Sequence, residues 1–181
     1  MGSRLFTAVL PSGRLVAELD TLLEPRRGVD GALRWTRPEG WHLTTSFMAD
    51  VEPVLVDGLG ALLAGMAAKV PRFRVRVEGG LAFPDPHRAK VLALGVSEGG
   101  AQLARLSAGA RRAASRAGIA VDGVGFVPHL TVARSRGVSA GRWLGVLDSF
   151  PGWSWPVEEL CLVESHSVGR RYEVLGSYPL G

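Results

Sequence analysis

The four residues His129-Leu130-Thr131-Val132 are echoed 87 positions earlier (129 − 42) by His42-Leu43-Thr44-Thr45. The chain has four histidines, and two of them fall in this pattern. Each copy lies in an apolar stretch of strand length. In an extended strand, residues i and i+2 share a face. Each copy therefore puts its His and Thr on one face and turns Leu43 or Leu130 to the other. Strict alternation adds Ser46 and Met48 to the face of His42 and Thr44, and sends Trp41, Thr45 and Phe47 to the core. A fold that uses both copies must make the two strands face each other across one cleft.

The surrounding elements recur in two similar rounds. Arg4–Leu10 reads as a strand, stopped by Pro11. Ser12 is a plausible cap for a helix carrying Leu15, Leu19, Leu22 and Leu23, which Pro25 closes. Leu33–Thr36 is a short strand, Trp41–Met48 carries the first His-x-Thr, and Val54–Val70 has the spacing of a helix. In the second round, Phe73, Val75 and Val77 alternate with Arg72, Arg74 and Arg76. A turn at Phe83–Pro86 leads to an apolar strand at Lys90–Val96 and a helix at Ala101–Ala117, which Gly118 stops. Pro128–Arg134 carries the second His-x-Thr, followed by a helix at Ser139–Asp148. Two final strands, Leu160–Glu164 and Arg171–Tyr178, form an antiparallel pair. No flexible linker separates the rounds, which predicts one bilobal domain over residues 1–181.

Composition sets limits on partners and location. The chain is 46% apolar and 21% charged, with a net charge of +4, which is ordinary for a globular protein. Lysine occurs only at Lys69 and Lys90, so the basic charge is almost all arginine. Guanidinium forks suit phosphate oxygens, although the arginines of Arg72–Arg76 and of the 101–117 helix are expected to face solvent. With the single cysteine Cys161 no intrachain disulfide can form, and no stretch is long and apolar enough to span a bilayer. A monomer in a reducing cytoplasm, away from membranes, is the expectation.

Two imidazoles and two hydroxyls around one space can break a cyclic phosphodiester. One imidazole takes a proton from water while the other gives one to the departing ribose oxygen, and a pKa near 6.5 lets each state be populated. Threonine hydroxyls can donate to the non-bridging oxygens as charge builds on them. This chemistry needs no metal and no cofactor. His87 and His166 are expected to be surface residues without partners. There is no Gly-x-x-x-x-Gly-Lys loop, Gly-x-Ser-x-Gly elbow or His-Glu-x-x-His. Gly123–Pro128 begins like a dinucleotide fingerprint but has Pro128 where the third glycine belongs.

These residues resemble those of the bacterial and archaeal RNA 2′,3′-cyclic phosphodiesterases, also called 2′-5′ RNA ligases, of the 2H phosphoesterase superfamily. The resemblance runs through Arg4-Leu5-Phe6-Thr7-Ala8-Val9, Trp41-His42-Leu43-Thr44, the hairpin Phe83–Leu92, Phe126–Arg134 and Gly169-Arg170-Arg171-Tyr172. It implies an α+β fold of two pseudo-symmetric lobes, each an antiparallel sheet with helices packed outside, around a central cleft. It implies that His42 protonates the leaving oxygen, His129 activates water, and Thr44 and Thr131 hold the phosphate. The implied partners are RNA 3′ ends or 2′,3′-cyclic nucleotides. The implied product is a 2′-phosphomonoester, and the family name also implies 2′-5′ ligation, joining a 2′,3′-cyclic phosphate end to a 5′-hydroxyl without a nucleotide cofactor. The alternatives are a 2H phosphodiesterase acting on another cyclic or 2′-5′ linkage, and an RNA-binding module without turnover. Two features depart from the pattern. Thr45 stands at an apolar place, and Phe47-Met48-Ala49 replaces the usual Phe-Leu-Gly ending. Alternation puts Arg134 on the face opposite His129, so it joins the site only if a bulge re-aims it.

Overall fold

The computed structural model describes residues 2–123 and 125–181; Val124, within the Gly123–Pro128 stretch, lies outside them. The strands are β1 (Ser3–Val9), β2 (Arg34–Trp35), β3 (Leu43–Val51), β4 (Phe73–Phe83), β5 (Ala89–Glu98), β6 (His129–Val138), β7 (Trp153–Val157), β8 (Glu159–His166) and β9 (Arg171–Pro179). The helices are α1 (Gly13–Leu23), α2 (Val56–Ala67), α3 (Gly100–Arg116) and α4 (Gly141–Asp148).

All the strand pairs are antiparallel, and they join in one curled sheet of order β7-β4-β5-β6-β3-β1-β8-β9, with β2 beside β6. Four strands lie on each side of the β6–β3 junction. The first lobe runs outward as β3-β1-β8-β9 and the second as β6-β5-β4-β7. Each His-x-Thr strand is thus the innermost strand of its lobe. The α+β class with helices outside an antiparallel sheet is what the structure has.

The helices cross-link the lobes. In α1, Ser12 caps the first turn by accepting from the Leu15 amide, and Leu15, Leu19 and Leu23 are buried. Although α1 follows β1, its Glu18 accepts a 2.6 Å hydrogen bond from the Trp153 indole of the second lobe. Conversely α3, which follows β5 of the second lobe, packs on β3 of the first. One hydrophobic cluster therefore contains Leu5 and Leu43 from one lobe and Leu94 and Leu130 from the other. The turn into α3 requires Gly99: its φ is +86°, and a Cβ there would come within 2.5 Å of the Arg74 carbonyl oxygen.

β3 and β6 run three and four residues further than the sequence reading placed them, and two strands differ more, each for a local reason. Pro151 and Pro156 argue against a strand at 153–157, yet β7 forms because it is an edge strand, where a missing N–H costs no ladder bond. The strand expected at 72–77 runs on to Phe83, because Gly79 (φ +78°) absorbs a bulge between Val77 and Gly80. Among the described residues, no helix is long and apolar enough to cross a membrane.

Candidate active site

The two His-x-Thr segments meet at the lobe junction. Leu43 of β3 pairs with Leu130 of β6, and both side chains are buried in the core. Carrying that antiparallel register one residue each way sets His42 opposite Thr131, and Thr44 opposite His129. Directly opposed residues share a face. All four side chains therefore project from one face, while Leu43 and Leu130 anchor the other. The histidines occupy one diagonal of this square, which ordinary sheet geometry makes about 7 Å across at Cβ. The two rings are close enough for the charge of His129 to act on His42.

The two imidazoles are held in matching ways. The Nδ1–H of His42 donates to the Gly40 carbonyl at 2.7 Å, and that of His129 donates to the Val127 carbonyl at 2.7 Å. A carbonyl can only accept, so in each ring Nδ1 carries the proton and Nε2 is left for chemistry. His42 stacks on Phe6 at 4.6 Å and meets the Tyr172 ring edge-on at 5.4 Å. His129 lies against Phe83 at 4.7 Å. Phe6 and Phe83 belong to β1 and β4, so both lobes supply an aromatic backstop.

Both histidines are held below the ordinary imidazole value of about 6.5. For His42 burial is the largest cause, opposed by the bond to the Gly40 carbonyl and reinforced by the charges of Arg134 and His129. For His129 burial again leads, opposed by the Val127 carbonyl and reinforced by Arg134. Without a bound anion both rings are therefore biased toward the neutral form. An anionic phosphodiester between them would offset Arg134 and favour protonation of one ring.

A bulge in each strand decides what else reaches the cleft. In β6, Thr131 opposes Ala93 and Ala133 opposes Leu92, so Val132 is the extra residue. Val132 and Ala133 are both fully buried, and Arg134 returns to the face of Thr131, opposite Val91. Strict alternation is thus overturned, and the Arg134 charge is felt by both histidines. In β3 the extra residue is Thr45, since Thr44 opposes Ala8 and Ser46 opposes Thr7. Ser46 and Met48 consequently turn into the core, and Phe47 turns out beside Phe6. This corrects the alternation at Ser46, Phe47 and Met48. It also explains how Thr45 fits an apolar place. The buried Thr7 hydroxyl shares hydrogen bonds of 2.6 Å with both Thr45 and Ser46.

The sequence signal for these placements was weak. An arginine three residues beyond a His-x-Thr threonine means little until the bulge is known, Phe83 reads as part of a turn, and nothing in the spacing ties Phe6 or Tyr172 to a histidine. Among the described residues, neither the Thr44 nor the Thr131 hydroxyl is engaged by another protein group, and Arg134 has no carboxylate partner. Those donors are free for a ligand.

The remaining histidines lie elsewhere. His87 sits in an exposed turn. His166 has partners that sequence spacing did not reveal: it ends β8 and lies 3.0 Å from Glu173 and 3.6 Å from Glu164. Among the described residues this is the one group with metal-type ligand atoms, all within 4.8 Å. Glu164 opposes Leu5 on β1, so the group is on the helix side of the sheet, away from His42. A cavity of about 750 Å³ between α1 and β7 also lies outside the cleft and contains no histidine.

Fold and site define a class: an α+β protein of one curled antiparallel sheet whose two neighbouring inner strands each carry a His-x-Thr, with both histidines and both threonines on one face. The chain belongs to the 2′-5′ RNA ligase superfamily, whose family model matches residues 23–169. It is 29% identical over 154 residues to an RNA 2′,3′-cyclic phosphodiesterase of Aquifex aeolicus, covering 82% of each chain. It is 30% identical over 131 residues to one of Archaeoglobus fulgidus, covering 72% of each. The structure of E. coli LigT complexed with 3′-AMP shares the fold at a TM-score of 0.80 and 22% identity, covering 99% of each chain.

Proposed function

We propose that this chain, acting as one bilobal domain and a single subunit in the cytoplasm, hydrolyses 2′,3′-cyclic phosphate ends of RNA or nucleotides to 2′-phosphomonoesters. The observation that carries this reading is the square of His42, Thr44, His129 and Thr131 on one sheet face. Each imidazole there has Nδ1 tied to a carbonyl and Nε2 free. The relatives of matching length and name support the same reaction.

In this reading the cyclic phosphate sits between the rings, with its non-bridging oxygens on Thr44, Thr131 and Arg134. His129 Nε2 takes a proton from water as the water oxygen bonds to phosphorus. The bond from phosphorus to the ribose 3′ oxygen breaks, and that oxygen takes a proton from His42 Nε2. His42 enters protonated, its charge favoured by the bound anion. Each transfer contributes about 10²–10⁴-fold. The in-line path puts water on the His129 side and the leaving oxygen on the His42 side. Assigning the acid to His42 follows the family resemblance, since the two rings are held alike. With a 5′-hydroxyl in place of water, the same steps open the cyclic phosphate onto that hydroxyl: the new bond is from the 5′ oxygen to phosphorus, the bond to the 3′ oxygen breaks, and a 2′-5′ linkage results.

The test is hydrolysis of a 2′,3′-cyclic nucleotide, with chelator present, by wild type, His42→Ala and His129→Ala. A 2′-phosphate product, with each variant down by at least about 10²-fold, is the expected result. Full activity in either variant overturns the mechanism. RNA binding by the wild type with no turnover would instead support the binding-module alternative.

A further inference from the structure

Three features outside the proposed reaction stand out: the Glu164–His166–Glu173 group, a basic groove between α2 and α3, and the outer part of the first-lobe cleft face. The first is engaged internally, because His166 lies within reach of both glutamates. The second carries Lys69, Arg105, Arg112 and Arg116, with nothing to indicate which polyanion it would take. The third is continuous with the catalytic square and carries the inference.

On the first lobe the cleft face continues from Thr44 along β1. Ala8 is level with Thr44, Phe6 with Phe47, and Arg4 lies one step further out, opposite Ser165. The Arg4 guanidinium folds over the Phe47 ring, 5.6 Å from its centroid. Arg4 is exposed, and among the described residues it has no carboxylate partner. Phe47 is the β3 counterpart of Arg134: each lies three residues past its threonine, just after the bulge. The two lobes thus present one cation each at matching points, Arg134 directly and Arg4 through Phe47. Two strand residues span about 7 Å, so the guanidinium over Phe47 lies roughly that far beyond the Thr44 level. That is about one nucleotide of extended chain.

We propose that Arg4, held over the Phe47 ring, binds the phosphodiester one nucleotide upstream of the cyclic end, so that the cleft is built for an RNA terminus and not for a free mononucleotide. The inference rests on the proposed reaction. With the leaving oxygen on the His42 side, the ribose lies over the first lobe and its 5′ carbon leads toward Phe47. A guanidinium fork fixed by a ring presents two parallel donors to phosphate oxygens. Ring stacking holds it there at little further loss of side-chain freedom.

The experiment compares three substrates: a 2′,3′-cyclic mononucleotide, a dinucleotide ending in a 2′,3′-cyclic phosphate, and the same dinucleotide with an uncharged methylphosphonate linkage. Wild type is expected to prefer the charged dinucleotide over its methylphosphonate by about tenfold in kcat/KM, mostly through KM, as one charged hydrogen-bonded contact predicts. Arg4→Ala should reduce that preference to within about twofold, and Arg4→Lys should keep part of it. Phe47→Leu should raise KM for the charged dinucleotide more than it lowers kcat. Wild type indifferent to the linkage, or Arg4→Ala retaining the full preference, overturns the proposal. The wild-type comparison stands even if a variant fails to fold. Hydrolysis of none of the three substrates would overturn the proposed reaction as well, whereas hydrolysis of all three without preference removes this inference alone.

Discussion

Leu43 sits directly across from Leu130, and through this pair the two inner strands of the lobes hold each other in register. Both side chains are at most 1% exposed. A slip of one residue would turn His42 or His129 into the core. Leu43→Ala and Leu130→Ala are each expected to cost about 2–5 kcal/mol by denaturant unfolding. At saturating substrate below the melting range, kcat should also fall. Leu→Met at either position should restore most of both.

Arg134 adds to burial in lowering where both histidines titrate. The site histidines lie below about 6.5, first through burial and then through the Arg134 charge. The acid limb of kcat/KM, which reports the free enzyme, should therefore lie below pH 6.5. Removing a cation makes protonation of the rings easier. Arg134→Ala should move the limb upward without bringing it fully to 6.5, because burial remains. Arg134→Lys should leave the limb in place while raising KM, since the charge stays and the fork is lost. A limb that does not move in Arg134→Ala would sink this account.

The same lowered pKa values link stability to pH. Between the folded values and about 6.5 the unfolded chain binds more protons. The contribution is present above about pH 6.5 and is lost as pH falls through the folded values. Urea unfolding at stepped pH should show this loss in wild type and a flatter profile in His42→Gln/His129→Gln.

Thr44 and Thr131 occupy the other diagonal of the square, with hydroxyls free for a ligand. Thr→Val at either position keeps shape and removes the donor. Each should lower kcat by about 10²-fold, in line with the loss of one oxyanion donor. The melting temperature should change little, and Thr→Ser should retain most activity.

Thr7 meets two hydroxyls beneath the β3 bulge. Thr7→Val leaves Thr45 and Ser46 buried with fewer partners, which should destabilise by about 1–3 kcal/mol. Thr7→Val/Thr45→Val should recover part of that loss. Simple additivity of the two substitutions would contradict the shared hydrogen bonds.

Much of this was legible along the chain because the signals are local. Leucine spacing and Ser12 mark α1, apolar alternation marks the strands, and the two His-x-Thr copies mark the candidate acid–base groups. The β7 strand was hidden because proline statistics describe an average strand and not an edge. His166 looked solitary because its partner Glu173 lies across a hairpin. The exposed Arg72–Arg76 face fits ordinary solvation, and there Arg76 pairs with Glu78.

What the sequence alone determined is the chemistry on offer: two imidazoles, two hydroxyls, an apolar anchor beside each, and the strand period that joins His to Thr. What only the tertiary structure decided is which other side chains share their space. Strand alternation holds until a residue is inserted into the ladder, and whether one is inserted depends on the neighbouring strand. Leu92 and Ala93 fix the bulge at Val132 and so bring Arg134 to the histidines. Thr7 and Ala8 fix the bulge at Thr45 and so bring Phe47 beneath Arg4. Those neighbours are about 40 residues away in sequence, and only folding brings them alongside.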